Sequence, residues 1–306
     1  SVTSIGKCAF DSCSALTSID IPESLTSIST SAFAQCYKLE TVKIPNSITT
    51  IEKRAFKLCE SLQTITIPNG ITEIGDDAFQ WCKSLTTVNL PESVTSFGTA
   101  FSYCESLTKI NIPSNVMFIA SNAFRQCKNL TEIIIPNGIT SIGNAAFYLC
   151  ENLASIDIAG SVNAIGSEAF KHCKSLSIVN CKPITPPTLF VYAFVGTASN
   201  LRINVPINSV DAYKAACREL TKLDGSPNSN TADNLNKAVA ALRRVYFDVN
   251  YDGINPNLYI VGTDTNGDYG ITATYNNDDS ITFNGTVTNS NDFGVTPFFP
   301  NEGKYT

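Results

Sequence analysis

The chain has 306 residues, of which 43% are hydrophobic and 16% charged, a composition that excludes a disordered or fibrous protein and fits one large or two medium domains. It contains no run of 18 apolar residues and no signal-peptide pattern at SVTSIGKCAF, so neither a membrane span nor a targeting segment is predicted in it. The net charge of −6 arises mainly in residues 226–306, with nine acidic against four basic residues. Residues 1–225 have 18 against 17 and no basic cluster for nucleic acid.

A repeat of 23 residues, shortened once to 22, organises the chain up to about residue 182. Its most regular position holds Phe10, Phe33, Phe56, Phe79, Phe101, Phe124, Phe147 and Phe170. Three residues later come Cys13, Cys36, Cys59, Cys82, Cys104, Cys127, Cys150 and Cys173. Repeats of roughly 20 to 30 residues predict a solenoid, in which each coil buries its apolar face against neighbouring coils.

Within a coil, an apolar pair nine and eleven residues after the phenylalanine, such as Ile65 and Ile67, predicts a short strand, because alternate strand side chains share a face. A proline ends this strand, and two further isoleucines complete the coil. The Ala-Phe-x-x-Cys segment predicts a short helical or 3₁₀ turn, since positions three apart lie on one face of a helix. Stacked coils align their strands in parallel. The sequence therefore predicts an α/β solenoid.

The consensus LxxIxIPxxIxxIxxxAFxxC resembles the BspA-like class of leucine-rich repeats over residues 1–182. The resemblance implies a right-handed superhelix with a parallel β ladder. Three departures occur: Cys181 replaces a strand aliphatic, Ala159 replaces a proline, and one residue is missing between Phe97 and Phe101. We expect these departures to bend the solenoid locally without ending it.

The recurring cysteine is interpreted as a small, polarisable core residue. Identical side chains in stacked coils point the same way, and a disulfide between them would need strained geometry. Metal-binding motifs such as CxxC are absent from the sequence, although metal binding and redox work are the alternatives to a structural thiol. We therefore predict a ladder of buried free thiols.

Residues 183–225 are predicted to cap the solenoid and to begin a linker. The segment LRINVP indicates a final strand, and Val210, Tyr213, Cys217 and Leu220 share one face of a predicted helix. A solenoid needs such a cover because its last coil otherwise exposes apolar core. A similar Pro-Pro, strand and helix ending is common in the family that the repeat resembles.

Residues 226–306 are predicted to form a small, Asn-rich and mostly antiparallel β module with a leading helix. Leu235, Ala238, Val239 and Leu242 mark one amphipathic helix, and the segments RVYFDV, NLYIVG, GITATY and SITFNGTV alternate as strands do. Two acidic stretches, DVNYDG and DTNGDYG, imitate the first half of a calcium loop but lack its final acidic ligand. They are interpreted as β turns or as a weak structural calcium site with ligands Asp248, Asn250, Asp252, Asp264, Asn266 and Asp268.

An enzyme is not predicted, because the chain has one histidine, His172, and no GxSxG, HExxH or phosphate-loop motif. No other cofactor is predicted.

A column of alternating charge, four residues after each phenylalanine, reads Glu60, Lys83, Glu105, Lys128, Glu151 and Lys174. Opposite charges at neighbouring positions of a ladder stabilise it slightly, so this column is interpreted as a structural device.

Two surfaces are candidates for binding a partner. Apolar and aromatic side chains collect two residues after the phenylalanines, at Leu58, Trp81, Tyr103, Leu149 and His172, where they either shield the turns or form a contact patch. The concave face carries the outward residues of the strand ladder, and its candidate contacts are Lys43, Lys109, Glu132 and Asp157.

The sequence predicts a non-catalytic recognition protein, and the resemblance implies a secreted or cell-surface location and adhesion to a host matrix protein or to other cells. The alternative is a glycan-binding surface protein in which the C-terminal module binds the glycan and the solenoid is a spacer. A third hypothesis is a structural protein of a cell envelope. Signal and anchor segments are expected outside this sequence, and eleven cysteines are compatible with an extracellular location because buried thiols react poorly.

Overall fold

The chain forms a parallel β-solenoid followed by a short helix. The structure is a computed structural model, and it describes residues 2–190 and 192–223 together with strand segments 246–250, 257–261, 272–275, 281–284 and 303–305. Each coil of the solenoid contains short strands on two sides and a turn segment that carries the repeated phenylalanine. The predicted solenoid is therefore confirmed.

Sixteen strands belong to the solenoid and its end, and most have two or three residues. In chain order they are β1 (Ser18–Asp20), β2 (Ser27–Ile28), β3 (Thr41–Lys43), β4 (Thr50–Ile51), β5 (Thr64–Thr66), β6 (Glu73–Ile74), β7 (Thr87–Asn89), β8 (Lys109–Ile110), β9 (Phe118–Ile119), β10 (Glu132–Ile133), β11 (Ser141–Ile142), β12 (Ser155–Ile158), β13 (Ala164–Ile165), β14 (Ile178–Cys181), β15 (Thr188–Leu189) and β16 (Arg202–Asn204). The pairs between them are parallel and join equivalent positions of successive coils.

The predicted strand of each coil lies in the first ladder, which consists of the sheets β1-β3, β5-β7-β8-β10 and β12-β14-β16. Its central residues are buried and its outer residues face outward, as in β5, where Ile65 is buried between exposed Thr64 and Thr66. A second ladder consists of β2-β4-β6 and β9-β11-β13-β15 and was not predicted. Its strands have only two residues, too few to show the alternation by which a strand is recognised in a sequence.

The prediction of a helical or 3₁₀ turn around each phenylalanine is wrong. In the described coils these residues form turns, and the positions two before and two after the ring have positive φ, for example Arg54 at 59° and Leu58 at 64°. The short coil is the exception, because Gly98 and not Thr99 is left-handed before Phe101. A helix cannot include such left-handed residues. Their backbone N–H groups donate instead to carbonyls of the next coil, as Leu58 does to Gln80 at 2.8 Å, so the turns join the coils.

Stacked phenylalanine rings form the centre of the core. Nine rings, from Phe10 to Phe194, lie one above another with centroids 5.1–6.2 Å apart and nearly parallel planes. The rings from Phe33 to Phe170 are fully buried. Because the stack and both ladders continue beyond residue 182, the segment that follows packs as a further coil. The boundaries predicted at residues 182 and 225 stay predictions.

The predicted ladder of free thiols is confirmed within the described coils. The seven cysteines from Cys36 to Cys173 are buried and unpaired. Each Sγ donates to the carbonyl of the phenylalanine one coil earlier, with Sγ to O distances of 3.1–3.3 Å, as from Cys59 to Phe33. Burial raises the pKa of the Cys36 thiol to about 11 and that of Cys173 to about 12, so these groups are neutral thiols near neutral pH.

The coil with 22 residues has a larger core side chain and a left-handed glycine near its missing residue. Phe97 occupies a position that Ile51 and Ile74 hold elsewhere, and its ring packs at 5.9 Å from Phe101 and 5.6 Å from Phe124. Gly98 takes the left-handed conformation, with φ of 44°, and a β-carbon there would meet the carboxylate of Asp76. The second ladder is interrupted after this coil, since β6 and β9 lie in different sheets.

A strand and a helix follow the last coil, as predicted. Strand β16 pairs with β14, and a 3₁₀ turn at Ile207–Ser209 leads into helix α1, Val210–Leu223. The buried Tyr213 donates from its Oη to the carbonyl of Pro183 at 2.8 Å and thereby fixes the helix to the chain that precedes β16. Among the described residues, no helix is long and apolar enough to cross a membrane.

The C-terminal strand segments form two antiparallel groups. Strand β17 (Tyr246–Asn250) pairs with β18 (Asn257–Val261), and β20 (Ile281–Asn284) pairs with both β19 (Thr272–Tyr275) and β21 (Gly303–Tyr305). The helix predicted from Leu235 to Leu242 lies outside the described residues. The small β module over residues 226–306 stays a prediction.

Candidate functional site

The aromatic column predicted as a contact patch lies on the turn side of the solenoid. Its members Leu58, Trp81, Tyr103, Leu149 and His172 are all half-buried and all have positive φ, between 60° and 66°. Bulky residues rarely adopt this conformation, which costs about 1–2 kcal/mol at each position. The next coil fixes it, because the N–H of Tyr103 donates to the carbonyl of Arg125 at 2.6 Å.

Trp81 begins a series of contacts between aromatic and cationic side chains. The rings of Trp81 and Tyr103 stack at 4.0 Å with an interplanar angle of 11°. Arg125 donates from Nε to the Tyr103 hydroxyl at 3.2 Å, and its guanidinium lies 4.3 Å from the centroid of the Tyr148 ring. Lys171 is 5.9 Å from the same ring. We call Trp81, Tyr103, Arg125, Tyr148 and Lys171 the aromatic–cation cluster.

The alternating charge column forms the ion pairs that its sequence predicts. Lys83 pairs with Glu60 at 2.9 Å, Lys128 with Glu105 at 2.9 Å, and Lys174 with Glu151 at 3.0 Å. Each pair joins two adjacent coils. The side chains are partly exposed, so each pair contributes about 0–1 kcal/mol and leaves this edge of the solenoid locally neutral.

The outward side of the first ladder, which we call the first-ladder face, brings together three of its four predicted contacts. Lys109 and Glu132 occupy equivalent positions of adjacent strands, and Lys109 Nζ lies 3.3 Å from Glu132 Oε2. Asp157 lies one coil further on and pairs with Lys182 at 3.2 Å. Lys43 is exposed in β3, three coils before Lys109, and does not join the group. Their role in binding stays a prediction.

Two exposed isoleucines lie among these charges. Ile134 is 64% exposed and stands beside Asp157 through a parallel bridge, while Ile178 is 41% exposed in β14. The column of Ile134 is otherwise polar, with Asp20, Lys43, Thr66, Asn89, Asn111, Asp157, Asn180 and Asn204. We call Lys109, Glu132, Ile134, Asp157 and Ile178 the Ile134 patch.

Neighbouring polar side chains on this face are engaged with each other rather than covering Ile134. Asn111 holds the backbone of Leu90, receiving its N–H at 2.8 Å and donating to its carbonyl at 2.7 Å. Asn180 donates to Asp157 at 2.7 Å and accepts from Asn204 at 2.6 Å. The ladder of amides therefore fixes the rim of the patch and leaves the isoleucine facing outward.

The sequence contains a signal for the Ile134 patch that differs from the charge pattern of Lys109, Glu132 and Asp157. Along a strand of this ladder, apolar inward residues alternate with polar outward residues. Ile134 is an aliphatic residue at an outward position whose column is otherwise polar, so packing in the core does not account for it. The contacts of Arg125 carry no comparable signal. Arg125 and Tyr148 stand one residue after a phenylalanine, whereas Trp81 and Tyr103 stand two residues after one, so only the structure joins the two columns.

The described residues do not bring together a group of three or more side chains that could hold a metal ion. Of the calcium candidates, Asp248 and Asn250 fall in β17, and Asp252, Asp264, Asn266 and Asp268 lie outside the described residues. The calcium site therefore stays a prediction. The described surface offers side chains for recognition: two apolar residues with a charged rim on the first-ladder face, and hydrogen-bond donors with aromatic rings on the turn side.

The solved structures similar to this chain include leucine-rich repeat proteins. A leucine rich cell surface protein of Faecalibacterium prausnitzii is 28% identical, with a TM-score of 0.43, and the match covers 64% of this chain and 61% of that one. The leucine-rich repeat protein of T. pallidum is 29% identical, with a TM-score of 0.45 and coverage of 56% and 69%. One from Bacteroides ovatus is 26% identical, with a TM-score of 0.46 and coverage of 69% and 68%. This chain thus spans less than two thirds of the F. prausnitzii protein.

A search of the curated proteins finds no significant match. The family model for the BspA type leucine rich repeat region matches six copies, over residues 1–100 and 98–224. These residues contain the phenylalanine stack, the thiol ladder and both strand ladders. The chain belongs to the family of BspA-type leucine-rich repeat proteins.

Proposed function

We propose that this chain is a non-catalytic recognition protein that binds another protein through the first-ladder face, with the Ile134 patch at the centre of the contact. The proposed setting is the cell surface or the extracellular space, and the proposed role is adhesion to a host matrix protein or to another cell. Family membership supports a repeat scaffold for recognition. The patch supports the choice of face.

The exposure of Ile134 is the observation that carries this proposal. Protein interfaces commonly have an apolar centre that becomes desolvated and a polar rim that stays in contact with water. The patch has this arrangement, since Ile134 and Ile178 are exposed and ion pairs lie beside them. Apolar side chains stabilise a protein when they are removed from water. An isoleucine that stayed in water at this position would therefore add no stability over the asparagine or threonine found elsewhere in its column.

The ion pairs around the isoleucines suit a contact that forms and dissociates. Lys109 and Glu132 are 64% and 56% exposed, so their mutual attraction is worth about 0–1 kcal/mol and is easily exchanged for charges of a partner. Rim charges of this kind govern the rate of association and the choice of partner more than affinity. We therefore expect binding to weaken moderately with added salt.

The test is a binding assay of the purified chain against fibronectin, fibrinogen, collagen and common glycans, with Ile134→Asn beside it. Asparagine is already present at four other positions of the same column, Asn89, Asn111, Asn180 and Asn204, so the variant should keep the fold. Thr66→Asn is the matched control, because it makes the same polar residue at the equivalent outward position of β5.

We expect Ile134→Asn to weaken binding to a matrix protein by about ten-fold or more, as truncation of a central interface residue does, and Thr66→Asn to leave it unchanged. Equal binding by both variants would show that the contact lies elsewhere. Binding to glycans alone would contradict the proposal of a protein partner and favour the glycan-binding alternative, which no contact of the described residues supports.

A further inference from the structure

Arg125 differs from Arg54, Lys57, Lys83 and Lys171, which form ion pairs, because its side-chain contacts are with neutral groups. It donates to the Tyr103 hydroxyl at 3.2 Å and to the side-chain carbonyl of Asn122 at 3.4 Å, and it lies 4.3 Å from the Tyr148 centroid. Within the described part of the chain it forms no ion pair. Its half-buried guanidinium is stabilised by an aromatic ring and by hydrogen bonds to neutral oxygens, so it keeps a positive charge that no carboxylate of the described chain neutralises.

Nearby cations show what is missing at Arg125. Arg54 lies 3.4 Å from Asp77, and Lys171, the other cation of the cluster, lies 2.6 Å from Glu168. The turns that hold them therefore carry an acidic partner for each cation. At Arg125 the equivalent neighbours are tyrosines and an asparagine, which hold the guanidinium in place without neutralising it.

From this geometry we propose that Arg125, positioned by Tyr103 and Tyr148, binds a carboxylate of an acidic peptide segment in the partner protein. The proposal rests on the proposed function and adds a second contact to it. A guanidinium has five N–H donors in a planar fork that matches a carboxylate, and a carboxylate would supply the negative charge that the site lacks. The hydroxyl of Tyr103, which accepts from Arg125, keeps its own proton to donate to the same ligand.

The arrangement of the rings favours a peptide over a sugar or a nucleic acid. Sugars and bases bind aromatic side chains mainly by stacking on a free ring face. Trp81 and Tyr103 already cover a face of each other at 4.0 Å, and the guanidinium of Arg125 covers a face of Tyr148. The N–H groups of Arg125 and the hydroxyl of Tyr103 are hydrogen-bond donors, which suit the side-chain carboxylate of an extended acidic segment.

Trp81 provides a reporter for the test, because it is the only tryptophan of the chain and stacks on the tyrosine that contacts Arg125. We would titrate the full chain with hexaglutamate peptide and follow both Trp81 fluorescence and the heat of binding, with hexaserine peptide as the neutral control. The test variant is Arg125→Gln. The matched control is Arg54→Gln, which also removes one arginine, but one that already pairs with Asp77.

We expect hexaglutamate to change Trp81 fluorescence and hexaserine to have no effect. Arg125→Gln should weaken binding about ten- to a hundred-fold, the effect of losing a charge-assisted hydrogen bond, while Arg54→Gln should change it less than about two-fold. Arg125→Lys keeps the charge but lacks the fork, so we expect an intermediate loss. Thermal unfolding of each variant shows whether it is folded, and Arg125→Lys keeps the test valid if Arg125→Gln is not.

Equal weakening by Arg125→Gln and Arg54→Gln would overturn the assignment, because it would indicate a general charge effect. Tighter binding of a uronic-acid oligosaccharide than of hexaglutamate would also overturn it, in favour of an acidic glycan. Failure of this proposal can be distinguished from failure of the proposed function. If binding of a matrix protein depends on Ile134 but is unaffected by Arg125→Gln, the first-ladder contact is supported and the contact at Arg125 is refuted.

Discussion

The inside and the outside of the solenoid differ in how much they vary from coil to coil. Inside, a phenylalanine stacks on the next at 5.1–6.2 Å, and a thiol donates to the phenylalanine carbonyl of the preceding coil in seven successive coils. Outside, equivalent positions hold threonine, lysine, glutamate, asparagine or isoleucine. The inner columns are uniform because each coil packs against its neighbours in the same way. Departures on the outside, such as Ile134, are therefore where a function specific to this chain is to be sought.

The largest expected effect is a loss of stability at alkaline pH, and it arises from the buried thiols of the core. The seven buried thiols have raised pKa values, so they stay protonated in the folded chain at pH values where the unfolded chain releases their protons. Their contribution to stability is thus complete below about pH 9 and lost as the pH rises above it. Well above the pKa of the unfolded thiol, each group lowers the free energy of unfolding by at most about 1.4 kcal/mol per pH unit. Between pH 9 and 10 the unfolded thiols ionise only in part, so the seven together remove about 7 kcal/mol.

Chemical denaturation between pH 8 and 10.5 measures this loss. The variant Cys104→Ala with Cys127→Ala removes two thiols and should reduce the loss of unfolding free energy between pH 9 and 10 by about 2 kcal/mol. All other ionisable side chains are the same in both proteins. Identical slopes for the two proteins would show that the thiols do not cause the alkaline loss.

The second prediction compares a phenylalanine inside with one outside. Phe56→Ala removes a fully buried ring from the stack and should lower the free energy of unfolding by about 3–5 kcal/mol. Phe118→Ala removes a ring that is 53% exposed on the second ladder and should change it by about 0.5 kcal/mol. Urea unfolding followed by circular dichroism measures both. Similar losses for the two variants would contradict the division between core and surface.

A third prediction concerns the short coil. Gly98→Ala should destabilise the chain by about 1–3 kcal/mol, because φ of 44° is strained for alanine and the added methyl group meets Asp76. Gly160→Ala is the control, since its nearest atom, the Lys182 carbonyl oxygen, would be at an ordinary contact distance of 3.9 Å. We expect that variant to be neutral or slightly more stable. Differential scanning calorimetry compares them, and equal melting temperatures would refute the role assigned to Gly98.

The smallest expected effect concerns the charge column. A double-mutant cycle with Glu60→Gln and Lys83→Met should give a coupling of about 0.2–1 kcal/mol, because the 2.9 Å pair is partly exposed. The coupling should decrease in 1 M salt, where exposed charges are screened. A coupling above about 2 kcal/mol would mean that this edge contributes to stability as a core position does, and would contradict the difference between core and surface.

Most of the buried side chains could be predicted from the sequence. The backbone conformation between them could be predicted less well. The spacing of Phe56 and Cys59 predicts two inward side chains, and both are buried. The same spacing suggested a helical turn, which is wrong because Arg54 and Leu58 adopt positive φ. Neither residue type favours that conformation, and hydrogen bonds from the next coil impose it. Information about a neighbouring coil is absent from a single repeat.

The candidate sites divide in the same way. The ion pair of Lys83 with Glu60 follows from a single column and could be predicted. The Ile134 patch could be found by comparing outward columns, since an isoleucine stands among polar residues. The contact of Arg125 with Tyr148 joins adjacent coils at positions one residue after the ring, and side-chain direction decides it. A sequence states the position of each residue, whereas the direction of a long side chain depends on the local backbone.

Photo-cross-linking tests most directly whether the first-ladder face binds a protein. A benzoylphenylalanine in place of Ile134 would be irradiated in the presence of the matrix protein that binds the chain, with the same residue in place of Thr66 as control. Both positions are outward in the first ladder, and three coils separate them. Cross-links from position 134 and none from position 66 are the result that the proposed interface predicts. Cross-links from position 66 alone, or from neither while binding persists, would contradict it.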